Sequence, residues 1–124
     1  ALSMAVANPR VITPAVCQGY LFPYDSWQHR LAVHRFVLDI PLHPGHPSYA
    51  TLTAVEQGLQ QFQRQRLLLL WGEQDWCFTT DFLAEWQQRF PEATTVRLPH
   101  AGHYLFEDDP QRLITEIRQW LGRS

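Results

Sequence analysis

An α/β arrangement, with two parallel strands flanked by helices, is what this 124-residue sequence predicts. Three observations predict it. Leu67-Leu68-Leu69-Leu70-Trp71 is an unbroken apolar run closed by Gly72, the pattern of a strand buried on both faces of a parallel sheet. Thr94-Thr95-Val96-Arg97-Leu98 is short and rich in β-branched residues, which suits a second strand. Between them, Phe82, Leu83, Trp86 and Phe90 recur at helical spacing after Thr79 or Thr80, either of which can cap, and Pro91 closes the segment. Strand, helix, strand at this spacing is a βαβ unit, so the strands are expected to be parallel with a right-handed crossover.

The remaining elements follow in order. Ala1 to Asn8 reads as the tail of a helix stopped before Pro9. Asp25 is a cap candidate, with Gln28 three residues on, for a helix burying Trp27, Leu31, Val33, Phe36 and Val37 and ending before Pro41. Pro41 to Pro47 is a loop. Ser48 is a plausible N-cap; Leu52, Val55, Leu59 and Phe62 then share one helix face, with Gln57, Gln60, Gln61 and Arg64 on the wet side. The last helix has Asp109 as cap, Pro110 at its first position and an apolar stripe of Leu113, Ile114, Ile117, Trp120 and Leu121. Six of the nine prolines precede Ser48, so the expected division is a helical part over 1–47 and a βαβα part over 48–124.

Composition narrows the function classes. The chain is 45% hydrophobic and 18% charged, an ordinary globular balance. A net charge of −2 with no basic block leaves no electrostatic footprint for nucleic acid. No apolar run is long enough for a membrane span, and the apolar start has no basic flank of a signal peptide. Cys17 and Cys77 lie far apart and outside any CxxC motif, so free thiols and a cytoplasmic location are expected.

The chemistry concentrates at two turns. Asp75 lies four residues past the end of the first apolar run, and His103 five residues past Leu98. Both therefore fall at the carboxyl ends of neighbouring parallel strands, where open α/β sheets build their sites. A carboxylate beside an imidazole holds it in one tautomer and stabilises its cation, so that it can take a proton from water or a hydroxyl.

Trp71-Gly72-Glu73-Gln74-Asp75-Trp76-Cys77-Phe78 resembles the acid-bearing turn of haloalkane-dehalogenase-like α/β-hydrolases, and Ala101-Gly102-His103-Tyr104-Leu105-Phe106-Glu107-Asp108 resembles their catalytic-histidine turn. Phe82 to Phe90 with Pro91-Glu92-Ala93 resembles the connecting helix and its end. Tyr24-Asp25-Ser26-Trp27 and Phe36-Val37-Leu38-Asp39-Ile40-Pro41 resemble the end of the cap domain in the subgroup close to bacterial β-lactone decarboxylases of olefin biosynthesis. The resemblance implies the C-terminal part of an α/β-hydrolase fold: a helical cap-domain remnant over 1–47, then the core over 48–124. It implies a two-step hydrolysis in which a carboxylate nucleophile forms an ester and His103, oriented by Asp75, activates the water that cleaves it. In serine relatives the same pair activates the serine.

No nucleophile-elbow motif is present, and none of Ser3, Ser26, Ser48 and Ser124 sits between glycines at a strand end. The isolated chain is therefore expected to be a truncated, inactive form. Its expected ligand, once completed, is a small apolar substrate, with no cofactor. Bare sheet edges would favour a second chain or a homodimer over a monomer. An epoxide hydrolase, an esterase or a non-catalytic interaction module of the same fold are the rival expectations.

The other candidates are weighed against that pattern. Trp76, Cys77, Phe78 and Tyr104 flank the pair and can line a substrate pocket, with Trp27 and Tyr24 reaching over from the cap. An indole N–H can steady a departing halide or an oxyanion. Glu73 is a rival acid, but lies two residues nearer the strand. His43 with His46 and His100 with His103 make HxxH pairs without the further ligands zinc needs, so no metal site is expected. Glu107 and Asp108 read as first-turn acids of the last helix. Cys77 as nucleophile is disfavoured, since the family needs no thiol.

Overall fold

The computed structural model describes residues 2–122. Among the described residues seven α-helices are present: α1 (Leu2–Ala5), α2 (Pro14–Leu21), α3 (Trp27–Leu38), α4 (Tyr49–Gly58), α5 (Thr80–Arg89), α6 (Leu105–Asp108) and α7 (Pro110–Leu121). Short 3-10 turns lie at Pro9–Val11, Phe22–Tyr24 and Leu59–Phe62. The strands are β1 (Leu68–Gly72) and β2 (Thr94–Leu98).

These elements form two compact units. One joins the chain up to Cys17 to everything from Gln65 onward; the other is Gln18–Arg64. Long-range hydrogen bonds are the reason. The Tyr104 N–H donates to the Ala5 carbonyl at 2.7 Å, fastening the first residues to the last third of the chain. Ser48 Oγ donates to Asp39 Oδ1 at 2.9 Å, which keeps the start of α4 with the helix before it.

In the larger unit β1 and β2 pair in parallel, Leu68 opposite Thr94 through Gly72 opposite Leu98, with α5 as the crossover. The βαβ expectation is met, with β1 one residue later than the apolar run suggests. Leu67 to Trp71 are only half-buried, so the expected burial on both faces is not found. With two strands in the sheet among the described residues, each strand keeps an open edge. The core instead gathers Ala5, Val6, Leu83, Phe90, Leu98, Ala101 and Leu113. On α5, Leu83 is buried and Trp86 half-buried, Phe90 just past its end is buried, and Phe82 turns outward against Phe78, ring edge to ring face. Thr79 precedes α5 without capping through its side chain; its hydroxyl donates to Asp81 Oδ2 at 3.2 Å instead.

The start of α7 follows the expected chemistry. Asp109 Oδ1 accepts the Arg112 N–H at 3.3 Å, and Pro110 opens the helix, where its missing N–H costs nothing. Leu113 is fully buried, Ile117 and Trp120 half-buried, and Ile114 and Leu121 exposed. Arg66 stacks its guanidinium 4.8 Å from the Trp120 ring centre and donates to the Trp120 carbonyl, tying the approach to β1 to the end of α7. Glu107 and Asp108 are not in the first turn of this helix: they close the separate short helix α6.

In the 18–64 unit, Ser26 rather than Asp25 caps α3, accepting the His29 N–H at 3.2 Å. Asp25 instead pairs with the His29 ring at 2.6 Å. Ser48 has helical backbone angles and makes no side-chain cap. None of the apolar residues expected to be buried on α3 is buried: Trp27 is 74% and Phe36 75% exposed. Leu52, Val55 and Phe62 are exposed as well, and the helical face they share breaks into a 3-10 turn after Gly58. Helical spacing predicts which residues share a face; it does not supply a partner for that face. No helix among the described residues is long and apolar enough to cross a membrane.

Candidate active site

Glycine and backbone hydrogen bonds bring the two strand-end turns together. Glu73 N–H donates to the Leu98 carbonyl and Gln74 N–H to the Ala101 carbonyl, each at 3.0 Å. The Gln74 side-chain amide donates to the Pro99 carbonyl at 2.9 Å. At Gly72 a side chain would have no room: a Cβ would lie 2.3 Å from the Gly102 carbonyl oxygen and 2.6 Å from that of Ala101. Only glycine allows this approach.

Asp75 and His103 face each other across the joined turns. Asp75 Oδ2 lies 2.9 Å from His103 Nδ1. Asp75 Oδ1 accepts the N–H groups of Cys77 at 2.8 Å and Phe78 at 3.0 Å, an Asx turn that fixes the carboxylate plane. The aspartate side chain is 9% exposed and the imidazole 31%. An ionised carboxylate can only accept, so Nδ1 carries the proton and the Nε2 lone pair is left for an incoming proton. The ring is flanked by Phe78, centroid to centroid 5.4 Å, and by Tyr104 at 5.7 Å.

Two opposed effects act on the Asp75 carboxyl. Burial pushes its pKa up; the hydrogen bond from His103, those from the Phe78 and Cys77 amides, and the charge His103 can carry outweigh it, leaving the pKa below its ordinary 3.8. A depressed folded-state pKa adds stability above the unfolded value that is lost as pH falls through the folded one. Urea midpoints measured from neutral pH downward are therefore expected to fall below about pH 4, and to fall less steeply in Asp75→Asn. Parallel curves for the two proteins would remove Asp75 from the acid response.

The other candidates divide. Glu73 is engaged elsewhere, its Oε1 2.5 Å from Arg97 Nε, which leaves Asp75 as the acid facing the imidazole. Phe78 and Tyr104 stand beside His103. Cys77 is exposed and joins the turn through its backbone N–H. Trp76 is 62% exposed and donates its indole N–H to the Met4 carbonyl at 2.7 Å, so that donor is occupied by backbone and is not directed at a leaving group. Trp27 begins α3 in the 18–64 unit. His43 and His46 rings meet edge to face at 6.0 Å, and His46 Nδ1 accepts the Ser48 N–H at 3.2 Å. No group of three or more metal-ligating side chains occurs among the described residues. Two open grooves lie on the 18–64 unit, one of about 840 Å³ along Trp27, Leu31 and Phe36, the other of about 580 Å³ around Leu21, Phe22 and Tyr24.

Sequence reasoning missed Asp108. Its Oδ2 accepts the N–H groups of Gly102 at 2.8 Å and Ala7 at 2.9 Å, and its Oδ1 accepts that of Asn8 at 3.0 Å. The acidic run Glu107-Asp108-Asp109 before Pro110 is visible in sequence, but two of the three partners lie about a hundred residues away.

Residues 11–110 match the profile of the alpha/beta hydrolase fold, and the chain belongs to that family. It is similar to two curated relatives, both called cis-3-alkyl-4-alkyloxetan-2-one decarboxylase. The protein from Shewanella oneidensis is 35% identical over 104 residues, covering 84% of this chain and 33% of the relative. The one from Xanthomonas campestris pv. campestris is 35% identical over 115 residues, covering 93% of this chain and 38% of the relative. The chain thus spans little more than a third of the length of these relatives.

Proposed function

We propose that this chain supplies the base and the orienting acid of an α/β-hydrolase-fold catalytic site, with His103 as general base and Asp75 as its partner. One observation carries the proposal: the 2.9 Å hydrogen bond between Asp75 and His103 at the carboxyl ends of two paired parallel strands. The nucleophile comes from sequence outside these 124 residues, which contain no elbow motif. It is contributed by the rest of a longer polypeptide or by a second chain. The similarity to the two decarboxylases supports a cis-3,4-dialkyl oxetan-2-one as substrate. Such a molecule is a four-membered cyclic ester with two alkyl groups, and expulsion of carbon dioxide leaves an alkene.

The test compares the 124-residue chain with a protein extended to the length of its relatives, each given the dialkyl lactone, with products followed by mass spectrometry. Alkene and carbon dioxide are expected from the longer protein alone. Turnover by the short chain would place a nucleophile within it. Hydroxy acid in place of alkene would mean that water cleaves the lactone and the enzyme is an esterase.

A further inference from the structure

We infer that Asp108 is a positioning residue for His103, acting together with the segment Met4–Asn8. Both neighbours of His103 in the chain are held by this arrangement. Gly102, before it, donates its N–H to Asp108 Oδ2 at 2.8 Å. Tyr104, after it, donates its N–H to the Ala5 carbonyl at 2.7 Å. Asp108 also takes the Ala7 and Asn8 N–H groups, so one carboxylate binds the histidine turn and the early segment to each other. The same segment reaches the acid turn, since the Met4 carbonyl accepts the Trp76 indole N–H at 2.7 Å. Gly102 is seated so closely that a Cβ there would lie 3.0 Å from Ala7 N and 3.1 Å from the Ala5 carbonyl oxygen. A carboxylate accepting three amide hydrogens binds more strongly than a neutral acceptor. Asp108 does not touch the reacting atoms; it fixes the backbone on which the imidazole is mounted.

The catalytic meaning of this clamp rests on His103 being the base, but the hydrogen bond it supports can be observed without catalysis. The His103 Nδ1 proton should give a downfield NMR signal in the 124-residue chain, assigned by its loss in His103→Ala. In Asp108→Ala that proton is expected to exchange with water roughly tenfold faster or to disappear, with far-UV circular dichroism unchanged. Asp108→Asn keeps one acceptor oxygen and should lie between the two, and it decides the matter if Asp108→Ala does not fold. A wild-type exchange rate in either folded variant would overturn the inference. If the exchange changes as expected while His103→Ala leaves turnover of the longer protein intact, the clamp stands and the proposed role of His103 falls.

Discussion

Replacing His103 with alanine is expected to lower lactone turnover by the longer protein by about three to four orders of magnitude, in kcat far more than in KM. The imidazole keeps a lone pair on Nε2, held so by the carboxylate on its other nitrogen. Asp75→Asn gives the sharper comparison. Its oxygen can still accept the Cys77 and Phe78 N–H groups, so the turn survives, while the amide NH₂ replaces the oxygen that faces Nδ1. The imidazole must then move its proton to Nε2 to make that hydrogen bond, which removes the lone pair the chemistry uses. A loss of about two to four orders of magnitude is expected with the fold retained. Steady-state kinetics on both variants check the pair; loss below tenfold in either would separate it from the chemistry.

The second large effect is on stability. Leu83→Ala is expected to destabilise the larger unit by about 3–4 kcal/mol, measured as a drop in urea midpoint. Leu83 is fully buried on the crossover helix, and the close-packed core around it cannot collapse onto the space a leucine leaves. Against the 5–15 kcal/mol typical of whole domains, that is a large share. Phe82→Ala, one residue away on the outward face, should cost much less. Equal effects at the two positions would mean that α5 is not seated by its Leu83 face.

Legibility from sequence tracks how local each cause is. The strands, the crossover helix and the Asp109–Pro110 start of α7 are written in runs of five to twelve residues, and each is found within a residue of its expected place. Asp75 and His103 are legible for the same reason, as each sits in a turn that follows at once from its strand. What sequence spacing leaves out is the partner. The apolar residues of α3 suggest a buried face, yet Trp27, Leu31, Val33, Phe36 and Val37 are all exposed. The Trp76 indole looks like a donor awaiting a ligand until Met4, 72 residues earlier, supplies its acceptor. Asp108 looks like one more helix-terminal acid, because no local pattern announces that Ala7 and Asn8 will return to it.

That return has a bearing on how the protein is made. Met4 to Asn8 leave the ribosome about a hundred residues before the carboxylate that receives two of their amides. At about 5–20 residues per second, the nascent chain waits roughly 5–20 s for Asp108 to emerge. Throughout that interval the Ala7 and Asn8 amides lack the carboxylate that receives them in the finished fold. The histidine turn itself is synthesised only a few residues ahead of Asp108. Acid and base therefore come into register only after Asp108 has emerged and the early segment has docked, and a chaperone holding that segment would delay the assembly of the site rather than the formation of any one helix.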